Sequence, residues 1–300
     1  MEIRKLRPED NQIIAGIIRR SLEAHNLGIP GTVYTDPTTD HLYELFLTKG
    51  SVYFVAEEHG KILGGCGIFP TEGLPAGHAE LVKLYLDLNV RGKGIGFELM
   101  STSIHWAREN GYQHLYLETK AELGSAVNLY RSLGFRNLPA PMGNSGHHAC
   151  EIWMLKKLGE FQTVSFDSHS PLYEKSFIIR KEVFIGEQNI DPALEVEFED
   201  ESIFFLTSLD SLPAATGRLR VSGEKIKFER IASRKKFRGT GAARELMVVM
   251  QEYARKHYPD EKLFMHAQLD AAGFYQKIGW MIIGNVFDEA GIPHVAMTAN

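Results

Sequence analysis

The sequence predicts a mixed α/β (α+β) protein built from two tandem domains, residues 1–157 and 160–300. Two motifs occur twice. The glycine-rich segment Arg91-Gly92-Lys93-Gly94-Ile95-Gly96 recurs 147 residues later as Arg238-Gly239-Thr240-Gly241-Ala242-Ala243. The segment Tyr130-Arg131-Ser132-Leu133-Gly134-Phe135 recurs 145 residues later as Tyr275-Gln276-Lys277-Ile278-Gly279-Trp280. Two motifs in one order at a nearly constant offset indicate an internal duplication.

Hydrophobic periodicity predicts one order of elements in both halves, with strands first in hairpins and later in strand–helix–strand units. The first half contains predicted strands at 3–6, 51–57, 61–69, 78–88, 114–118 and 148–155. Its predicted helices are one that begins at Pro8 and two at 94–110 and 122–133. The second half contains predicted helices at 171–184, 241–257 and 271–278, and strands at 203–209, 214–221, 225–233, 263–267, 281–287 and 294–298.

Composition and charge indicate a folded protein that works in the cytoplasm. Hydrophobic residues make up 44% and charged residues 24% of the chain, and the net charge is −5. This mild negative charge argues against binding nucleic acid through the overall field. The charged N-terminus is unlike a signal peptide, and no run of about 18 apolar residues occurs. We therefore expect no nucleic-acid or membrane partner.

Cysteine and histidine usage predicts no metal site. Cys66 and Cys150 are expected in strands as buried thiols of a reducing compartment, with a single disulfide left open. The segment His147-His148-Ala149-Cys150 lacks the four well-spaced ligands of a structural zinc site.

Each glycine cluster lies between a predicted strand and a predicted helix. Glycines there let several backbone N–H groups converge, and the helix N-terminus favours an anion, which predicts a pyrophosphate cradle. A turn without a ligand is the alternative. Neither copy ends in the Gly-Lys-Ser/Thr of a Walker A loop. The Gly-x-Gly-x-Gly spacing also departs from the dinucleotide fingerprint, and although Glu118 could supply its acid, the region near Met265 has no equivalent.

These motifs resemble the acetyl-CoA pyrophosphate loop and the later tyrosine of the GNAT superfamily of N-acetyltransferases, over nearly the whole chain. The arginine-to-tyrosine spacing is 39 residues from Arg91 and 37 from Arg238. The segments 180–188 and 291–294 also resemble those of one GNAT subgroup. The resemblance implies two domains, each with a partly splayed mixed sheet flanked by helices, and acetyl-CoA bound in the gap between two parallel strands.

The resemblance also implies the cofactor-binding residues. The pantetheine is expected to pair with Leu84-Tyr85-Leu86 in the first domain and with Ile231-Ala232-Ser233 in the second. The two glycine loops, Arg91–Gly96 and Arg238–Ala243, are expected to hold the pyrophosphate. Family members often carry an asparagine seven residues before the tyrosine; here Gln268 and Leu123 stand at that place.

Acetyl transfer to an amine needs a group that takes a proton from the amine and benefits from one that gives a proton to the departing sulfur. The resemblance implies Tyr130 and Tyr275 as the acids, with aromatic packing as the alternative reading. Glu80 and Glu229 share a face of the strands that lead into the loops and are the expected bases, with a solvent-facing acid as the alternative.

The predicted activity is acetyl transfer from acetyl-CoA to a primary amine of a small molecule or peptide, by direct attack. The acceptor is expected near residues 22–43 and 185–203, where the acidic run 195–201 lies. Three alternatives stay open: a non-catalytic CoA-binding scaffold, one active domain braced by a degenerate one, and transfer of a longer acyl chain. The chain is expected to be a monomer or a homodimer.

Overall fold

The structure is a computed structural model that describes residues 1–146 and 148–299. The chain divides into two compact units, Met1–Glu160 and Phe161–Asn300. The predicted domain limits, 157 and 160, lie next to this division.

The elements of the first unit are β1 (Glu2–Lys5), α1 (Asn11–Glu23), α2 (Leu42–Leu45), β2 (Val52–Glu58), β3 (Lys61–Phe69), β4 (His78–Leu86), α3 (Ile95–Glu109), β5 (His114–Thr119), α4 (Gly124–Ser132), β6 (Arg136–Asn137) and β7 (Ile152–Lys157). Those of the second unit are β8 (Phe161–Phe166), α5 (Tyr173–Arg180), α6 (Pro192–Glu195), β9 (Ser202–Leu209), β10 (Leu212–Ser222), β11 (Lys225–Ser233), α7 (Ala242–His257), β12 (Lys262–Gln268), α8 (Ala272–Gln276), β13 (Met281–Glu289) and β14 (Ile292–Ala299). A π-helical segment, Lys181–Glu187, continues α5.

Both units contain a seven-stranded sheet with the same strand order. The first sheet runs β1-β2-β3-β4-β5-β7-β6, and the second runs β8-β9-β10-β11-β12-β14-β13. In each sheet the fourth and fifth strands pair in parallel, and their neighbours are antiparallel. The predicted mixed fold and its tandem duplication are therefore confirmed.

Amphipathic helices cover these sheets. In α1, Ile14, Ile17, Ile18 and Leu22 recur at helical spacing, and all four are buried in one apolar cluster with Tyr53 of β2. This packing fixes the C-terminal end of α1 against the sheet. The segment that follows it therefore begins beside the centre of the sheet.

Two sequence-based expectations differ from the structure. The strand β8 is missing from the prediction, although its pairing with β9 repeats that of β1 with β2. The strand predicted at 148–155 begins only at Ile152, so the expectation that Cys150 lies in a strand is wrong. Cys66 and Cys150 are both free thiols, and burial raises the pKa of each to about 12, which keeps them protonated.

The fourth strand of each sheet is bent at an equivalent residue. Lys83 in β4 and Arg230 in β11 both have a φ of 53°, in the left-handed region, and are 147 residues apart. The pairing with the preceding strand shifts register nearby in both sheets. A bulge of this kind bends the strand and re-aims its side chains, here just before the glycine loop.

A stacked histidine pair at the start of β4 and β5 predicts a pH effect on stability. The rings of His78 and His114 are parallel within 12°, with centroids 4.4 Å apart. Burial, then the neighbouring His78 and Lys157, lower the pKa of His114. Below about pH 6.5 the unfolded chain therefore binds more protons than the folded one, and the free energy of unfolding falls until the pH reaches the folded pKa.

We expect His114→Gln to flatten this fall in thermal stability between about pH 7 and pH 5. His169→Gln, which removes an exposed histidine, serves as the control and should leave the profile unchanged. Equal pH dependence in the wild-type and His114→Gln proteins would contradict the assignment.

Candidate functional site

The two parallel strands at the centre of each sheet pair over only three residues and then diverge. The pairing covers His78–Glu80 of β4 and Lys225–Lys227 of β11. β4 continues to Leu86 and β11 to Ser233. Both domains therefore contain a gap between two strands, beside the glycine loop that follows the first of them.

In the first domain this gap contains a cavity of about 60 Å³. Its walls include two of the three residues expected to contact pantetheine, Leu84 and Tyr85, and also Tyr130. The third, Leu86, pairs with Gly64 of β3 and is not a wall residue.

The first glycine loop presents unpaired N–H groups. Gly92 and Gly94 have φ values of 78° and 77°, and Gly94 is the N-cap of α3. The first intrahelical bond runs from Glu98 to Gly94, so the N–H groups of Ile95–Phe97 have no backbone acceptor among the described residues. Such a helix start suits a phosphate. Lys93 is exposed beside it, and Arg91 donates to Ser21 Oγ at 2.8 Å.

The second loop has the same backbone shape and a different arginine environment. Gly239 and Gly241 have φ values of 80° and 97°, and α7 begins directly after Gly241. Arg238 donates to Glu187 Oε2 at 2.6 Å, so a carboxylate binds its guanidinium group. Arg91 instead donates to a neutral hydroxyl, that of Ser21. Ala242 is buried, and Ala243 and Thr240 are partly exposed.

The basic residues before the second loop do not all face solvent. Arg234 forms a two-point ion pair with Glu182, at 2.7 and 2.8 Å. Lys235 is exposed. Arg234 is thus engaged by the protein itself.

The two predicted acids are buried tyrosines in equivalent places. Tyr130 in α4 and Tyr275 in α8 line the gaps of their domains, and no hydroxyl hydrogen bond joins either to another described residue. Burial raises the pKa of both above the ordinary value. Each hydroxyl therefore keeps its proton near neutral pH and can donate a hydrogen bond into its gap.

Glu80 connects the gap with a second cavity of about 500 Å³ in the first domain. The carboxylate is only 3% exposed and lines both cavities. Thr71 Oγ1 donates to Glu80 Oε2 at 2.5 Å, which fixes its direction. The other wall residues of this second cavity lie largely in the ranges 31–38 and 69–72. The first range falls within the segment 22–43, where the acceptor is expected, and the second falls outside it.

The bulge residue of each fourth strand anchors the segment after the first helix of its domain. Lys83 Nζ lies 2.6 Å from Asp36 Oδ2. Arg230 Nε lies 2.9 Å from Glu195 Oε2. The first pair lines the 500 Å³ cavity of the first domain, and the second pair lines a cavity of the second domain.

In the second domain a cavity of about 450 Å³ fills the gap, and Tyr275 and Ile231 line it. Ala232 and Ser233, expected beside Ile231, are not wall residues. Gln268 lines the cavity and exchanges two amide hydrogen bonds with Gln188, at 3.0 and 3.2 Å.

The expectation that Glu229 acts as a base conflicts with its surroundings. Its carboxylate accepts hydrogen bonds at 3.0 Å from both Arg218 and Arg220. Burial alone would raise the pKa of Glu229, but the two guanidinium groups outweigh it and hold the pKa below the usual value. A carboxylate stabilised as an anion in this way is a poor proton acceptor.

Strand register aligns one further position in the two gaps, for which sequence reasoning named only Glu118, as a possible acid of a dinucleotide site. Counted from the first parallel pair of each domain, Glu118 of β5 corresponds to His266 of β12. Both side chains line the gap. Glu118 accepts hydrogen bonds from Tyr116 and Ser145, both at 2.7 Å. The strand register, rather than the motif offset, is the signal that aligns them.

Across residues 1–146 and 148–299, no three His, Cys, Asp or Glu side chains are grouped as a metal site requires. His147, one of the two histidines weighed as ligands, lies outside the described residues. In the same part of the chain, no helix has both the length and the apolar character needed to cross a membrane.

Known sequences and structures resemble each half of the chain. The acetyltransferase (GNAT) family model matches residues 19–135, and an acetyltransferase (GNAT) domain model matches residues 170–300. The uncharacterized N-acetyltransferase YjgM of Escherichia coli is 38% identical over 157 residues, which are 52% of this chain and 94% of that protein. Human N-acetyltransferase 8B is 34% identical over 142 residues, 47% of this chain and 57% of that protein.

Solved structures cover about half of the chain each. The ribosomal-protein-alanine N-acetyltransferase of Brucella melitensis has a TM-score of 0.43 and 24% identity, over 53% of this chain and all of that one. The PaiA N-acetyltransferase of Thermoplasma acidophilum, solved in complex with coenzyme A, has a TM-score of 0.41 and 21% identity. The match covers 52% of this chain and 98% of that one. From the two family models and the bacterial relative, the chain belongs to the GNAT family of acetyltransferases and contains two GNAT domains in tandem.

Proposed function

We propose that the first domain transfers an acetyl group from acetyl-CoA to a primary amine of a small molecule or peptide that enters the cavity at residues 31–38. The observation that carries this proposal is the position of Glu80, whose carboxylate lines both that cavity and the gap that contains Tyr130. A proton acceptor and a proton donor thus flank one path, as the reaction requires.

The cofactor is proposed to bind along the gap. The unpaired N–H groups at the start of α3 would hold its pyrophosphate, and the backbone at Leu84 and Tyr85 its pantetheine. Acetyl-CoA supplies the acetyl group as a thioester, which is activated toward attack by an amine. Ile231 and the start of α7 are the proposed equivalents in the second domain.

The charge of the larger cavity supports a cationic acceptor. Three carboxylates, Asp36, Glu72 and Glu80, and one ammonium group, Lys83, are found among its described wall residues. An excess of negative charge in a cleft attracts a protonated amine. Glu80 then takes the proton that the amine must lose before it attacks, and the Tyr130 hydroxyl donates a hydrogen bond to the departing sulfur.

The test of the proposed function measures thiol release from acetyl-CoA with a panel of primary amines. We expect Glu80→Gln to lower kcat/KM for a first-domain acceptor about 100-fold, because the amide keeps the size but cannot accept the proton. Glu72→Gln changes an exposed carboxylate of the same cavity and serves as the control. Saturable acetyl-CoA binding with no turnover of any amine would favour a scaffold role instead.

The cofactor loop is tested separately by calorimetry. Gly94→Ala places a side chain at a φ of 77°, and we expect at least about tenfold weaker acetyl-CoA binding because the N–H groups of the loop move. Gly111→Ala is a matched control, since Gly111 has a φ of 85° and, as at Gly94, nothing lies within 4 Å of its added Cβ. Each substitution should cost about 1–2 kcal/mol of stability. Equal loss of affinity in both variants would contradict the assigned loop.

A further inference from the structure

The second domain has no usable carboxylate where the first domain has its base. Strand register aligns Glu80 of β4 with Lys227 of β11, because His78 and Lys225 both begin the parallel pairing. An ammonium group at that place cannot accept a proton from a cationic amine. Glu229, two residues further on, is neutralised by Arg218 and Arg220. If the second domain catalyses acetyl transfer, its base lies on another element.

A histidine–glutamate pair lies on the opposite wall of the same cavity. His266 Nδ1 is 2.7 Å from Glu289 Oε2, and both residues line the cavity with Tyr275. Because an ionised carboxylate only accepts hydrogen bonds, it favours the tautomer with the proton on Nδ1. Nε2 then has a free lone pair, and no other described residue hydrogen-bonds to His266.

Two aromatic rings contact this imidazole ring. Phe264 and Phe287 contact it edge-on from two sides, with ring centroids 5.2 and 4.8 Å away at 68° and 71°. The pair is itself exposed, with 34% of the His266 side chain and 51% of the Glu289 side chain open to solvent, so the imidazole can be reached from the cavity. His266 also occupies the register position of Glu118, the acid that lines the gap of the first domain. Both domains thus place a proton-accepting group at one site on the diverging strand.

We infer that His266 is the general base of a second acetyltransferase site, and that Glu289 is its positioning residue. This inference rests on the proposed function, since it assigns the same reaction to the second domain. His266 Nε2 takes one proton from the ammonium group of the acceptor. The nitrogen–carbon bond forms as the carbon–sulfur bond of the thioester breaks. The sulfur receives the hydroxyl proton of Tyr275, which regains one from the attacking nitrogen, so the products are an amide, a thiol and a protonated His266.

The first experiment needs no acceptor. The full chain is labelled with ¹⁵N-histidine, and two-bond ¹H–¹⁵N correlations are recorded at about pH 8, with His266→Gln used to assign the signals. We expect the Nδ1–H tautomer at His266, and loss of that preference in Glu289→Gln. A His266 ring protonated on Nε2 would overturn the inference, because that nitrogen could not accept a proton.

The second experiment measures thiol release in a Tyr130→Phe background, where turnover above the about 1% that the first domain is expected to retain reports the second domain. We expect His266→Gln to lower it about 100-fold with acetyl-CoA affinity within about twofold, and Glu289→Gln about tenfold. His294→Gln is the control, since His294 lines the same cavity but bonds its Nδ1 to the Ile292 carbonyl.

Two results would overturn the inference while leaving the proposed function intact. One is turnover in the Tyr130→Phe background that does not exceed the about 100-fold reduced rate expected of the first domain, in a chain whose wild-type form is active. The other is a loss of turnover in His294→Gln that is larger than the loss in His266→Gln. A wild-type chain that binds no acetyl-CoA would instead refute the proposed function itself.

Discussion

Replacing Tyr130 by phenylalanine is expected to lower kcat of the first domain about 100-fold while leaving its affinity for acetyl-CoA unchanged. The ring of Tyr130 is buried and packs against Phe135 at a centroid distance of 6.1 Å, and phenylalanine keeps this contact. Only the hydroxyl is lost, and no described residue depends on it for a hydrogen bond. Because burial raises the pKa of Tyr130, the group lost is a protonated donor. Steady-state kinetics and calorimetric titration with acetyl-CoA measure the two quantities.

The control for this substitution is Tyr112→Phe. Tyr112 donates its hydroxyl hydrogen to the Gly50 carbonyl at 2.6 Å and lines neither of the two first-domain cavities described above. We expect it to lower stability by about 1 kcal/mol and to leave kcat unchanged. If Tyr130→Phe combined with His266→Gln retained the full turnover of His266→Gln alone with every amine, the tyrosine would be a packing residue.

The sequence predicts the repeated architecture well because the duplicated motifs mark fixed points of the fold. Each glycine loop must end a strand and begin a helix, so its two copies define the order of β4 and α3, and of β11 and α7. The strand β8 was missed because Phe161–Phe166 alternates weakly and carries no motif. Its pairing with β9 is a long-range contact, which local periodicity does not report.

The roles of individual acids were harder to predict, because they depend on neighbouring strands. Strand parity places Glu80 and Glu229 on one face, and both do line cavities. The two carboxylates differ in their hydrogen-bond partners, which lie on other elements. Thr71 donates to Glu80, whereas Arg218 and Arg220 of β10 donate to Glu229. Cross-strand neighbours follow from register, and a single bulge such as that at Arg230 shifts every assignment beyond it.

The second large effect is expected on stability, from replacement of Arg180 by methionine. Arg180 is fully buried and bonds two carboxylates, Glu195 at 2.5 Å and Glu199 at 2.6 Å. Methionine keeps the apolar contacts with the surrounding aromatic rings but removes the cation. Glu195, only 1% exposed, then keeps Arg230 alone as its cationic partner. Breaking a buried ion pair on one side costs about 3–5 kcal/mol, and we expect a loss of that size.

Hydrogen exchange of the amides in β9–β11 under native conditions measures this loss without assuming that the whole chain unfolds in one step. Arg234→Met is the matched control, because Arg234 pairs with Glu182, whose side chain is 40% exposed, and should cost at most about 1 kcal/mol. Arg180→Met combined with Glu195→Gln should recover part of the loss, since it removes the buried charge left behind. A loss no larger than that of Arg234→Met would mean that water, rather than Arg180, stabilises the two carboxylates. The Arg230–Glu195 pair at the wall of the second-domain cavity would then not depend on Arg180.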